Sequence, residues 1–284
     1  MMLLAKHPSC NRGLAIVLAA TATLVPSMRN AVFAQAPTRT LVAVLAHADD
    51  ETPVGPMLAR YAREGVQVYL LIASDGMQGT GGGGSGVRPD STLAGNDLVR
   101  ARAEEARCSA EALGARPPIL LGFPDGKLGD FLSDRTLMFR LTARIAEELQ
   151  RLKPDAIITW GPDGGTSHPD HRLVSNVATQ LARAGAPGVP ERVFYMSISA
   201  EGMRAMNPQR GVLPLVIPEQ KYFTVNVPFT PADLEAAKRS MACHRSQFTA
   251  EVVGRVFPAM ARSLNGNVAL VPMVATMGGT DLFR

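Results

Sequence analysis

Cysteine is scarce in this chain: three in 284 residues, at positions 10, 108 and 243, with no Cys-x-x-Cys spacing. That argues against a metal held by thiolates. Internal repeats are absent too. Gly76–Asn96 carries glycines at phosphate-loop spacing, but no Gly-Lys-Ser/Thr follows, which discounts a nucleotide cradle. Strong charge of one sign is missing. The formal net of +4 includes Lys6, Arg12 and Arg29, and subtracting these three leaves +1 for the remainder. Nothing in that balance calls for nucleic acid. Long apolar runs are lacking as well. The uncharged stretch Gly13–Val25 has thirteen residues, short of the roughly 20 that a membrane-spanning helix needs.

That stretch has another use. A basic head with Lys6 and Arg12, a short apolar middle, and the small residues Val32 and Ala34 form the pattern of a secretory signal. The expected cut follows Ala34; a cut after Ala36 would place Pro37 next to it. Residues 1–34 are therefore expected to leave, and the mature protein to be periplasmic or extracellular. Residues 35–284 suit one α/β domain with a sizeable core. Cys10 goes with the signal. Export would permit Cys108 and Cys243 to pair, but cysteines on distant helical segments are expected simply to be buried.

From Leu41 onward, apolar runs alternate with amphipathic stretches. Strands are predicted at Leu41–Ala46, Val66–Ala73, Ile119–Gly122, Asp155–Trp160 and Arg192–Ser197. Helices are predicted at Pro53–Arg63, Asn96–Leu113, Leu137–Leu152, from about Pro169 to Ala184, and at Pro231–Met241. Such alternation implies right-handed crossovers and a mostly parallel sheet, whose ligands collect at the carboxyl ends of the strands. The long Gly76–Asn96 connection reads as a lid or a solvated linker, and the Pro-punctuated region from Pro208 to Pro228 as irregular or edge-strand structure.

Two of those strand ends carry chemistry. The first reads LVAVLAHADDETPVG, so an apolar strand ends in one imidazole and three carboxylates. Desolvating like charges at this spacing is costly without a positive partner. The second, GPDGGTSHPDHR, follows DAIITW. Together the two motifs hold His47, His168 and His171, three of the four histidines beyond the signal. His47 and Asp50 are three apart, as are His168 and His171 on the first turn of a helix that Pro169 opens. Either His168 or His171 can complete a set of two imidazoles and one carboxylate, an open three-ligand site with a position left for water. Asp49 cannot readily point with Asp50, which leaves it as a candidate general base. His244 reads either as a helix-end residue or as a support for the site.

His-Ala-Asp-Asp-Glu after one strand and His-Pro-Asp-His after a later one resemble the PIG-L / LmbE-like family of zinc-dependent N-deacetylases. The likeness extends to VRARAEEARCSAEALGA, LLGFPDGKL and KRSMACHRSQF, covering about Leu41 to Phe248 in the right order. The resemblance implies a three-layer Rossmann-like α/β fold, with a mostly parallel sheet and helices on both faces. It implies Zn2+, or another divalent ion, on His47, Asp50 and His171, with Asp49 as general base. His168 would act as acid or oxyanion stabiliser with Asp170 behind it, and Arg102 and Asp125 would sit near the substrate. Ala48 replaces the family's usual proline, and Thr166 stands where some members have tyrosine.

The expected activity is removal of an acetyl group from an N-acetylated amino sugar, such as an N-acetylglucosamine derivative, or from a glycoconjugate. The expected partner is that small molecule, with no nucleic acid and no transmembrane segment in the mature chain. Oligomeric state stays open. Two other readings exist. A non-haem Fe(II) oxygenase also uses two histidines and a carboxylate, and a non-catalytic carbohydrate-binding relative would need no base beside the metal.

Overall fold

The computed structural model describes residues 38–79, 93–130, 133–165, 168–197 and 220–284. Residues 1–34, most of the Gly76–Asn96 connection, Thr166, and the part of the Pro208–Pro228 region before residue 220 lie outside the described residues.

The apolar run before His47 forms β1 (Thr40–Leu45), where Leu41 to Leu45 are fully buried. A strand buried on both faces belongs inside a parallel sheet. The others are β2 (Gln67–Ser74), β3 (Ile119–Phe123), β4 (Ala156–Trp160), β5 (Val193–Met196), β6 (Val225–Pro228) and β7 (Asn267–Pro272). They form one sheet in the order β3-β2-β1-β4-β5-β7-β6. The pairs from β3 to β5 are parallel, with Val42 opposite Tyr69 on one side and Ile157 on the other. β7 runs antiparallel to both β5 and β6. The strand order turns outward in both directions from β1, so the crevice at its carboxyl end is the expected ligand site of such a sheet.

Six α-helices are described: α1 (Gly55–Arg63), α2 (Gly95–Leu113), α3 (Leu137–Leu152), α4 (Pro169–Arg183), α5 (Pro231–Cys243) and α6 (Ala250–Leu264). The alternation of β1 shows how they are divided. Leu41, Ala43 and Leu45 enter one core with residues of α1, α2, α5 and α6. Val42, Val44 and Ala46 enter the other with residues of α3 and α4. Helices thus cover both faces, in three layers. No described helix is long and apolar enough to cross a membrane.

Two features differ from the sequence reading. That reading assigns no element after Met241, yet α6 and β7 follow, and β7 joins the sheet between β5 and β6. Pro258 inside α6 obscures its helical signal. The cysteines are also not separate: Cys108 on α2 and Cys243 at the end of α5 form a disulfide, with Cα atoms 5.7 Å apart. The helices lie side by side, a proximity that a sequence separation of 135 residues conceals.

Candidate metal centre

The chain leaves β1 into a set of tight turns, with Asp50 N–H donating to His47 O (3.4 Å) and Thr52 N–H to Asp49 O (3.0 Å). These turns fold Asp50 back onto the strand end. Its Oδ2 accepts from the backbone N–H groups of Ala46 (2.8 Å) and His47 (2.9 Å). Its Oδ1 faces outward, 3.0 Å from His171 Nε2 and 3.7 Å from His47 Nδ1. The two imidazole nitrogens are themselves 3.0 Å apart. His171 arrives from the first turn of α4, and its ring stacks on Trp160 at the end of β4, with centroids 4.5 Å apart.

Proton placement shows what these three atoms can accept. His171 Nδ1 lies 3.0 Å from Gly164 O, a carbonyl that can only accept, so the proton of a neutral ring sits on Nδ1 and Nε2 carries a lone pair. His47 Nε2 lies 3.0 Å from Asp125 Oδ1 and 3.5 Å from Asp170 Oδ2, which puts the proton there and a lone pair on Nδ1. With both rings neutral, two lone pairs and a carboxylate oxygen converge, an arrangement that a cation relieves. Tetrahedral zinc with bonds of about 2.0–2.1 Å separates its ligand atoms by roughly 3.3 Å, and 3.0–3.7 Å is observed. His47, Asp50 and His171 therefore fit a divalent ion.

His168 offers a nitrogen within 4.8 Å of nitrogens of His47 and His171, a looser fit than that of Asp50. The electrostatics agree with a cation site. Burial alone would lower the pKa of His47, but hydrogen bonding to Asp125, Asp170 and Asp50 outweighs it and raises the value well above normal. Burial would raise that of Asp50, yet the field and hydrogen bonds of His171 and His47 hold it well below the usual carboxylate range.

Asp49 points elsewhere. Its φ of 138° lies in a region that L-residues rarely adopt, a strain that surrounding contacts must hold. The Nη2 group of Arg102 donates to Ala48 O (2.8 Å) and to Asp49 Oδ1 (3.3 Å), bracing the strained residue. Burial raises the pKa of Asp49, and the nearby Arg102 charge opposes that rise. His168 caps α4: its Nδ1 accepts from Asp170 N–H at 3.2 Å, which leaves Nε2–H as a donor. Burial and the neighbouring His47 and His171 lower its pKa, so the ring is neutral near pH 7.

One expected placement changes, and two other residues gain defined partners. The Asp170 carboxylate lies behind His47, not His168; it accepts from Gly126 N–H (2.8 Å) and Leu128 N–H (3.1 Å), and only its backbone N–H meets His168. Asp125 also faces His47, with Oδ2 accepting from Gln78 N–H at 2.9 Å. Both carboxylates thus orient the His47 ring through its outer nitrogen. Arg102 is buried beside Asp49, and Glu105, on the same helix, accepts from Ser246 N–H and Oγ at 2.7 Å each. The sequence reading misses the Gly164 carbonyl, the Trp160 stack and Asp75, whose Oδ1 accepts from Met77 and Asp125 N–H. A backbone carbonyl leaves no trace in residue type, and a core tryptophan looks the same whatever it stacks on.

A parallel sheet with a metal-compatible trio at its carboxyl edge defines the class: an α/β protein of LmbE-like architecture. Residues 42–182 match the PIG-L family, described as GlcNAc-PI de-N-acetylase. The 1D-myo-inositol 2-acetamido-2-deoxy-alpha-D-glucopyranoside deacetylase of Rhodococcus jostii is 29% identical over 247 residues, covering 74% of this chain and 82% of that protein. The fold resembles that of N,N'-diacetylchitobiose deacetylase from Pyrococcus horikoshii, with a TM-score of 0.60 at 19% identity, over 84% of this chain and 85% of the other. It also resembles 4-carboxy-2-hydroxymuconate hydratase from Pseudomonas putida, with a TM-score of 0.56 at 17% identity, over 86% and 100% of the two chains. At such identities the structural likeness speaks for the fold alone.

Proposed function

We propose that this protein is an exported metal-dependent hydrolase that removes the acetyl group from an N-acetylated amino sugar or glycoconjugate. The observation carrying this reading is the convergence of His47 Nδ1, His171 Nε2 and Asp50 Oδ1, with the Asp49 carboxylate next in the chain. The deacetylase names of the curated relatives support the substrate class. A divalent ion on that trio would supply Lewis acidity to a water and to the amide carbonyl.

The other roles fall to the chain itself. Asp49 takes the proton as water oxygen bonds to the carbonyl carbon, and its upward-shifted pKa suits the task. His168 Nε2–H donates to the developing oxyanion. The amide C–N bond then breaks, the proton held by Asp49 passes to the departing nitrogen, and a free amine and acetic acid leave, the acid giving up the water's second proton to solvent as acetate. Arg102 keeps Asp49 aimed, while Asp125 and Asp170 keep His47 aimed.

Incubating the protein with a panel of N-acetylated sugars, with and without a chelator, tests the proposal. Expected is release of free amine that stops on chelation and returns with Zn2+. Asp49→Ala should retain substrate binding and lose turnover by about 10²-fold or more, the scale of a general-base contribution. Equal turnover in that variant would remove Asp49 from the mechanism. Absence of amine release across the panel, with hydration of an unsaturated acid instead, would favour chemistry like that of the hydratase. The Cys108–Cys243 disulfide and the N-terminal pattern support export into an oxidising compartment.

A further inference from the structure

Glu51 sits directly after the candidate ligand Asp50, and its side chain turns away from the site into the protein, where it is fully buried. Its Oε1 meets three groups: His244 Nε2 at 2.6 Å, the Ser109 hydroxyl, and the Ser240 hydroxyl at 3.4 Å. Ser109 and Ser240 lie 2.8 Å apart. All four residues are buried to within 1%. Ser109 belongs to α2, Ser240 to α5, and His244 follows the last residue of α5. The disulfide joins the residues immediately before two of them: Cys108 precedes Ser109 and Cys243 precedes His244.

A buried polar cluster this deep is costly unless it holds something in place. Here it grips the distal end of the loop that carries Asp49 and Asp50, while Arg102, also from α2, grips the proximal end at Ala48. Asp49, with its strained backbone, is suspended between the two grips. We infer that Glu51 is a positioning residue for the metal-binding loop, held by a clamp of His244, Ser109 and Ser240 that the Cys108–Cys243 disulfide closes. The inference rests on the proposed metal site and extends it: the redox state of a bond outside the site sets how well the ligands are arranged for the ion.

The test measures metal affinity as well as activity, using the full mature chain. Metal-free wild type, a Cys108→Ser/Cys243→Ser double variant, His244→Gln and Glu51→Gln are titrated with Zn2+ against a chromophoric chelator. Far-UV circular dichroism and thermal melting identify the temperature at which each is folded. Thr230→Ala, which removes a helix cap far from the loop, is the control for general destabilisation. The folded clamp variants are expected to bind Zn2+ 10- to 100-fold more weakly, the usual effect of disturbing groups that orient metal ligands. They are also expected to lose kcat with little change in KM. Adding His244→Gln to the cysteine pair should cost much less than it does alone, because both open one clamp.

Folded clamp variants with wild-type Zn2+ affinity and kcat would overturn the inference. So would an equal loss of affinity in Thr230→Ala, which would make the effect one of stability. Wild type that binds no divalent ion would overturn the metal site itself, and this inference with it.

Discussion

At the scale of single residues, adjacent carboxylates face different partners because the backbone turns between them. Asp50 is tied by two backbone N–H groups and faces two imidazoles, which depress its pKa. Asp49 stands on a strained φ with burial raising its pKa and one guanidinium opposing that rise. If Asp49 is the base, as proposed, it must be ionised to act, so activity should climb as pH rises through the Asp49 pKa. Arg102→Met removes the charge that lowers this pKa, so the acid limb of the kcat profile should move to higher pH, with kcat at neutral pH falling about tenfold or more. A limb that stayed in place while kcat fell would leave Arg102 a purely steric role.

The sequence exposed much at this scale. His47, Asp49, Asp50, His168 and His171 all stand out as chemistry-bearing residues at strand ends; the structure brings His47, Asp50, His168 and His171 together, and turns Asp49 toward Arg102. It does not reveal which ring a given carboxylate serves. Asp170 adjoins His171 and lies two residues from His168, yet its carboxylate faces His47, 123 positions away. The side-chain direction on the first turn of α4 decides that, and residue spacing alone does not encode it.

At the scale of elements, the loop between β4 and α4 shows how backbone geometry supports a ligand. Gly165 has φ of +61°, and a Cβ there would lie 2.3 Å from Trp160 Cε3. Gly165→Ala should therefore push Trp160 away from His171 as well as strain the turn. Expected is a loss of stability of about 1–3 kcal/mol, together with weaker Zn2+ binding, read by denaturant titration and chelator competition. Wild-type values of both would show that the stack plays no part.

The start of α5 tests a different device. Thr230 Oγ1 accepts from Asp233 N–H, and Asp233 in turn accepts from Thr230 N–H and from Arg63. Thr230→Ala should cost about 1 kcal/mol in urea melts at pH 7. Burial would raise the pKa of Asp233, but hydrogen bonds from Arg63 and Thr230 outweigh it and lower the value below normal. A depressed carboxylate stabilises the fold above its ordinary pKa and loses that contribution as pH falls through the folded value. The stability gap between wild type and the variant should accordingly narrow below about pH 4. A gap independent of pH would exclude Asp233 from the cap.

At the scale of the whole molecule, two distant segments are brought against one site. α5 supplies no candidate ligand, yet it packs on α1 and α2 and carries the groups around Glu51. The disulfide between α2 and α5 adds a covalent tie across 135 residues. If the protein is exported as proposed, the secreted form should begin at Gln35 and contain no free thiol, because Cys10 leaves with the signal and the other two cysteines are joined. Intact mass before and after alkylation under denaturing, non-reducing conditions checks both points. A secreted chain starting at Met1, or one that takes up two alkyl groups, would contradict them.

The sequence by itself determined the alternation of elements, the parallel core and the two motifs at strand ends, because these depend on apolar periodicity and on residue types adjacent in the chain. Only the tertiary structure decided the supporting shell: Asp125 and Asp170 on His47, the Gly164 carbonyl and Trp160 on His171, and the buried clamp on Glu51. Those contacts join residues far apart in the chain, and their partners are ordinary core and turn residues until packing sets their distances and directions.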